Sequence, residues 1–259
     1  MIDVQDLYFS YSKYEDFIKQ LNIYFEEEKI TTILGPNGSG KSTLLNLIAN
    51  VTKPKGGTIL IDGKKISTLG RKEIAKEMAS VFQQNSAPED ITVYELVSYG
   101  RTPHKRYFEG LNREDEEIIK WAMDSTAISH LKDRNFSSLS GGERQRVWVA
   151  MALVQKTKIL LLDEPTTYLD IHHQIEILNL IKKINKELNL TIIMVLHDIN
   201  QAIKYSDNVV VMNNGKIAQY GKPKNIITQE LIEEVYKVSV EIVYDFLGED
   251  IFLIFKEKI

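Results

Sequence analysis

Nine consecutive residues, Gly35-Pro36-Asn37-Gly38-Ser39-Gly40-Lys41-Ser42-Thr43, fit the spacing G-x-x-x-x-G-K-[ST]. Each residue type in that pattern has a job. Glycines let the backbone wrap close to phosphate oxygens, so that successive N–H groups form a nest for anions. Lys41 adds a full positive charge at the β- and γ-phosphates, and the Ser42 hydroxyl suits Mg²⁺. The β-branched run Thr31-Thr32-Ile33-Leu34 precedes the loop, and a helical run, Leu44 to Ala49, follows it. That order aims the positive end of a helix at the same charge. The segment implies a nucleoside triphosphate site.

Two further segments carry chemistry. Ile159-Leu160-Leu161-Leu162 is an apolar strand ending in Asp163-Glu164. Ligands of open α/β sheets bind outside the carboxyl ends of strands. Asp163 is therefore expected to approach Mg²⁺, and Glu164 to face the γ-phosphate and polarise an attacking water as general base. Leu139-Ser140-Gly141-Gly142-Glu143 precedes a helix expected over residues 143–153. Ser140 and the Gly141 and Gly142 N–H groups make that helix start an anion site with no lysine of its own.

The elements needed to position these residues are visible in the pattern. The runs at Ile159 and Thr191 are apolar throughout, as in strands buried on both faces of a parallel sheet. Between them, residues 171–188 place apolar side chains at 175, 177, 178, 180, 181 and 184, the stripe of an amphipathic helix. Strand, helix, strand makes a βαβ unit and the class α/β. From 85 to 156 the pattern turns helical, with Asn112 as an N-cap ahead of first-turn acids Glu114 and Asp115. Asn213-Asn214-Gly215 reads as the turn of a hairpin between 208–212 and 216–220. A helix after Pro223 and short strands near the end complete the picture.

Composition narrows the classes. The 259 residues contain no cysteine, which excludes a disulfide scaffold, a thiolate metal site and a cysteine nucleophile. Lys+Arg 32 against Asp+Glu 36 leaves a net charge of −4, so the chain as a whole offers no electrostatic trap for nucleic acid. No run approaches the roughly 20 apolar residues of a membrane span. The start, Met1-Ile2-Asp3-Val4-Gln5, has neither the basic flank nor the apolar stretch of a secretory signal. Work at a membrane is then expected to go through a partner.

Taken together, the loop, Gln83 after Ser80-Val81-Phe82, Leu139 to Glu143 followed by Arg144-Gln145-Arg146, Asp163-Glu164-Pro165, Tyr168-Leu169-Asp170 and His197 resemble the ATP-binding subunits of ABC transporters. Order and spacing match across essentially the whole chain. The resemblance implies a phosphate-loop NTPase core of the ABC type, over 1–84 and 157–223. It adds an inserted helical subdomain over 85–156 and peripheral antiparallel strands, and residues 224–259 remain as a C-terminal extension that either braces or regulates the core.

The same resemblance implies a homodimer that sandwiches two ATP head to tail. Gly35 to Thr43 of one copy would hold the nucleotide, and Ser140, Gly141, Gly142 and Glu143 of the other would close on its γ-phosphate. His197 is implied as the switch residue that reaches the γ-phosphate and orients Glu164. Gln83 is implied as a Mg²⁺ ligand beside Ser42 and Asp163, although Phe82 stands where that family commonly has proline. An aromatic is implied to stack on adenine; Tyr11 is the candidate, with Tyr8 and Tyr14 as alternatives. The segment from Ile91 to His104, with residues 165–171 and 195–202, is similar to importers of iron–siderophores, haem and cobalamin.

The implied role is therefore the ATP-hydrolysing motor of an importer for an iron–siderophore or related metal chelate. Its implied partners are two multi-span permease subunits, with an indirect link to a substrate-binding protein, at the cytoplasmic face of the cell membrane. A soluble, non-transport ABC ATPase, such as a component of iron–sulfur cluster assembly, is the alternative. A phosphate-loop kinase would share the loop but gives no reason for Leu139 to Glu143.

Overall fold

The computed structural model describes residues 1–12, 16–106, 109–244 and 251–256. In chain order its elements begin with β1 (Ile2–Phe9), β2 (Ile18–Phe25), β3 (Ile30–Leu34), α1 (Lys41–Ile48), β4 (Gly56–Ile61), β5 (Lys64–Lys65), α2 (Arg71–Glu77) and β6 (Met78–Val81). Then come α3 (Val93–Ser98), α4 (Arg113–Ser125), α5 (Gly141–Leu153), β7 (Ile159–Asp163), α6 (Ile171–Leu188), β8 (Thr191–Val195) and α7 (Ile199–Tyr205). The chain closes with β9 (Asn208–Asn213), β10 (Lys216–Gly221), α8 (Pro223–Ile226), α9 (Gln229–Tyr236), β11 (Ser239–Tyr244) and β12 (Ile251–Lys256). Two units divide it: residues 1–68 with 191–259, and residues 69–190.

In the first unit β3 runs parallel to both β8 and β9, with Ile33 opposite Val195 and Leu34 opposite Val211. Every residue of β3 and β8 is buried, as continuous apolar runs require when both faces are covered. Parallel strands bring their carboxyl ends to one edge, so Gly35 and His197 emerge side by side. A separate antiparallel sheet, in the order β2-β1-β4-β5, supplies the peripheral strands. The hairpin of β9 and β10 turns at Asn214 and Gly215, whose φ values of 47° and 73° are the left-handed pair of a type I′ turn. This turn also serves the phosphate loop. The Gly215 N–H donates to Ser39 O at 2.9 Å, and a Cβ on Gly215 would lie 1.7 Å from Phe17 O.

In the second unit β6 and β7 are parallel, Val81 opposite Leu162, so Gln83 and Asp163-Glu164 leave the same edge. Helix α6 spans the expected residues and buries Ile177, Leu178, Leu180, Ile181 and Ile184. Ile175, expected on that stripe, is instead exposed, and Asn185 is buried because its Nδ2 donates to Leu190 O at 2.6 Å. The polar atom is satisfied by the turn that ends the helix, so burying it costs little.

The segment after α3 is a clamp. A 3₁₀ run, Tyr99–His104, lies so close to α5 that a Cβ on Gly100 would be 2.1 Å from Met151 O. Arg101, beside it, donates from Nε to Asp115 Oδ1 at 2.7 Å and from a terminal guanidinium N–H to Val154 O at 2.7 Å. Both side chains of this ion pair are more than nine-tenths buried. Asn112 does cap α4, its Oδ1 accepting from the Asp115 N–H at 2.8 Å. Asp115 was expected only to complement the helix dipole; its larger role is to neutralise Arg101 inside the unit.

Removing one member of such a pair strands a buried charge and costs about 3–5 kcal/mol, whereas replacing both by apolar groups is often neutral. Urea unfolding of Arg101→Met is expected to show a loss of that size, and Arg101→Met with Asp115→Leu to recover most of it.

Candidate active site

The phosphate loop is built from backbone conformation first. Gly35, Gly38 and Gly40 adopt φ of 150°, 78° and 105°, a region in which side chains are strained. Gly35 is doubly constrained, since a Cβ there would approach Met212 O to 2.3 Å. Gly40 precedes α1 without a side-chain cap, and no acid stands in the helix's first turn. The positive end of the helix dipole is thus open to an anion. Lys41 is only 5% exposed, and its Nζ donates to Gly35 O at 2.9 Å and Pro36 O at 3.1 Å, which holds the ammonium against the loop. Ser39 Oγ is buried with no hydrogen-bond partner among the described residues. Such an orphaned hydroxyl inside a nest of N–H groups suits phosphate oxygens as acceptors.

Beside the loop lies a cavity of about 490 Å³ bordered by Tyr11, Phe17, Lys19, Gly38 and Asn214. Its size falls within the range of small-ligand sites. The Tyr11 hydroxyl is 2.6 Å from Thr43 Oγ1, and its ring packs edge-on against Phe9 with centroids 4.8 Å apart. These contacts fix the ring at the cavity's edge while leaving the residue 73% exposed, a free aromatic face. Tyr8 lies within β1 beside Gly56, and Tyr14 lies outside the described residues. His197 is exposed, two residues beyond β8, and Asp198 caps α7 by accepting from the Gln201 N–H at 2.9 Å.

The second unit carries the carboxylates. Asp163 is buried at the end of β7. Glu164 takes φ 52°, a left-handed conformation that costs a non-glycine residue energy and turns its carboxylate out of the strand. Gln83 Nε2 donates to Glu164 Oε2 at 2.5 Å, and Thr167 Oγ1 donates to the same oxygen at 3.0 Å. The structure thus brings Gln83 and Glu164 together and adds Thr167, which no sequence motif had singled out. With its amide nitrogen on Glu164, Gln83 keeps its carbonyl oxygen outside that bond. Ser42, Asp163 and Gln83 all offer hard oxygen donors, the kind Mg²⁺ takes. No group of three His, Asp or Glu that could hold a metal converges among the described residues.

Helix α5 starts differently from α1. Ser140 caps it within a box: Ser140 N–H and Oγ donate to Glu143 Oε2 at 2.8 and 2.7 Å, and Glu143 N–H points back to Ser140 Oγ at 3.4 Å. These bonds from the Ser140 side chain and backbone hold the Glu143 carboxyl below the usual range. Ser140 is thus bonded to the glutamate of its own helix start. Gly141 lies against Leu169, and a Cβ on Gly142 would meet His173 Cδ2 at 2.4 Å. His173 is held in turn by Asp170 Oδ1 at 2.8 Å, a support that the sequence pattern did not reveal. Tyr168 and Ile171, next to this tip, are 89% and 71% exposed.

Residues 18–167 match the ABC transporter family. The chain is 45% identical over 243 residues to the petrobactin import ATP-binding protein FpuC of Bacillus anthracis, covering 93% of this chain and 89% of that one. It is 46% identical over 228 residues to the iron(3+)-hydroxamate import ATP-binding protein FhuC of Bacillus subtilis, covering 88% and 85%. Among solved structures it resembles the bacterial ABC transporter cassette MJ0796 in its dimeric form, with TM-score 0.76, 30% identity and coverage of 86% and 99%. The same cassette has been solved after hydrolysis with ADP and Pi, at TM-score 0.74, 30% identity and the same coverage.

A base stacked on an aromatic ring contributes about 1–3 kcal/mol by alanine substitution. Calorimetric titration with ATP should therefore find Tyr11→Ala weakened about 10- to 100-fold, and Tyr11→Phe within about threefold, since the ring remains. Unchanged affinity in Tyr11→Ala would remove the ring from the base site.

Proposed function

The chain belongs to the ABC transporter family, as an ATP-hydrolysing ATP-binding subunit, and from that premise we propose that it drives import of an iron–siderophore or related metal chelate. The observation that carries the catalytic part is the Gln83–Glu164 contact. It fixes a carboxylate at the end of β7 and ties it to the residue next in line for the metal. Likeness to the petrobactin and iron(3+)-hydroxamate import proteins supports the cargo class.

In the proposed reaction the β- and γ-phosphates enter the nest of Gly35 to Thr43. Lys41 exchanges its loop carbonyls for phosphate oxygens, a better match for a buried ammonium. Glu164 takes a proton from water as the water oxygen attacks the γ-phosphorus, and the bond to the bridging oxygen breaks to leave ADP and phosphate. His197 orients Glu164 and the γ-phosphate. Mg²⁺ would be held by Ser42, Gln83 and Asp163, and supplies neutralising charge to the phosphates.

A second copy completes the site. Its Gly141 and Gly142 N–H groups, with Ser140 released from Glu143, close on the γ-phosphate. The exposed Tyr168 and Ile171 flank that helix tip and give the two copies apolar surface to bury. No helix among the described residues is long and apolar enough to cross a membrane. Transport thus falls to two multi-span permease subunits that receive this protein at the cytoplasmic face, with the helical subdomain 85–156 as their seat. A substrate-binding protein enters only through them.

Loss of a general base lowers turnover by about 10²–10⁴-fold. Glu164→Gln is expected to fall in that range while still binding ATP and forming a two-copy species in gel filtration; wild-type turnover would remove Glu164 from the role. Mixing Ser140→Ala with Lys41→Ala protein should restore activity that neither has alone, because one site per pair is whole. Purification from detergent-solubilised membranes is expected to bring a multi-span protein along, and its absence would favour the soluble, non-transport reading.

A further inference from the structure

Helix α5 begins with two glycines in a row, and a helix start made of glycine does not hold its own shape. Gly141 and Gly142 are its first two residues, whose N–H groups have no carbonyl one turn before them. Lacking side chains, they leave the backbone free to take many conformations. What steadies them comes from one neighbouring stretch, the turn that leads into α6. A Cβ on Gly141 would lie 3.2 Å from Leu169 Cδ2, and one on Gly142 would lie 2.4 Å from His173 Cδ2 and 3.0 Å from His173 Cγ. The His173 ring therefore lies directly on the Gly142 backbone, and only glycine leaves it room.

The ring is clamped from its other edge. Nδ1 and Cδ2 flank Cγ on opposite sides of an imidazole, so one edge serves Asp170 while the other meets Gly142. Asp170 Oδ1 accepts from the His173 backbone N–H at 3.0 Å and lies 2.8 Å from Nδ1. These bonds from the His173 backbone and side chain hold the Asp170 carboxyl below the usual range, so the acceptor is a carboxylate and Nδ1 carries the proton. Gln174 Nε2 donates to Leu169 O at 2.9 Å, which fixes Leu169 to the same helix start. One turn further along, an Arg146 guanidinium nitrogen lies 3.2 Å from Glu176 Oε2, while another donates to Thr126 O at 3.2 Å. Residues 142 and 146 of α5 thus meet residues 173 and 176 of α6, about one turn apart on each helix. Filling space beside Gly142 would need no bond to Asp170; the bond fixes the rotation of the ring, and with it the atom that meets the glycine.

We propose that His173 is a positioning residue for the ATP site of the other copy, holding the Gly142 backbone so that the α5 tip meets the γ-phosphate in a fixed orientation. The proposal rests on the two-copy reading above. It places His173 at sealing and hydrolysis and not at capture of ATP by a single copy, whose own loop does that. An interaction made only at the sealed stage acts on kcat. The same geometry selects the substitute. Asparagine sets an amide N–H where Nδ1 stands and an oxygen where Cδ2 stands, so it keeps the Asp170 bond and the contact with Gly142.

The test combines steady-state hydrolysis by the full chain, calorimetric ATP titration of dilute protein, and thermal melting. His173→Ala is expected to lower kcat about 10- to 100-fold, the scale of a displaced positioning contact, while ATP affinity stays within about twofold. His173→Asn should stay within about threefold of wild-type kcat, and His173→Phe, which fills the space without the bond, should fall about 3- to 10-fold. Mixed with Lys41→Ala, whose own tip is whole, His173→Ala should gain activity above either protein alone. Mixed with Ser140→Ala it should gain nothing, because both tips of that pair are impaired. Unchanged kcat in His173→Ala, a loss in His173→Asn as deep as in His173→Ala, or activity lost only in proportion to unfolded protein would each overturn the proposal. So would the absence of a gain with Lys41→Ala, which would put His173 in its own copy's site. Should the Ser140→Ala and Lys41→Ala pair also gain nothing, the two-copy reading itself fails, a separable result.

Discussion

An α-helix tip with neither a side-chain cap nor a first-turn acid presents about half a positive charge, and α1 begins this way. The rest of the first unit can be read as the means of holding that tip open. Buried β3 delivers the chain to it, and three left-handed glycines fold the backbone around it. The Gly215 turn braces Ser39 from outside. Lys41 remains nearly buried because the Gly35 and Pro36 carbonyls offset the loss of water. Neutral carbonyls are weaker partners for an ammonium than an anion is, so the arrangement favours phosphate over the loop's own backbone.

The second helix tip, at α5, is the opposite case. Ser140 and Glu143 fill it with an internal anion and close the capping box. In the proposed two-copy site, a γ-phosphate brought there by another copy would compete with Glu143 for Ser140 and replace one set of bonds by another. The strained Glu164 and Tyr168, at φ 52° and 64°, bracket the turn between the carboxylates and this tip.

Much of this was legible in the chain because its causes are local. The runs at Ile159 and Thr191 read as strands covered on both faces because they are apolar throughout. The loop's glycines occur at a spacing set by phosphate geometry. Asn213-Asn214-Gly215 announces its own turn. What could not be read depends on partners far apart in sequence. Asp115 carries the signature of a first-turn acid, and only the fold shows Arg101 beside it. Gly142 resembles a flexible residue until His173 is seen against it. Ile175 falls on the apolar period yet faces outward, because a helix stripe predicts direction and not the edge of what covers it.

The central claim is that phosphate held at the α1 tip of one copy is sealed by the α5 tip of another. A structure of the Glu164→Gln protein with ATP and Mg²⁺ tests it most directly. The account predicts a γ-phosphate about 3 Å from Lys41 Nζ of one copy and from Ser140 Oγ of the other, with the Ser140–Glu143 bond broken. A closed pair in which Ser140 stays bonded to Glu143, remote from both γ-phosphates, would contradict it.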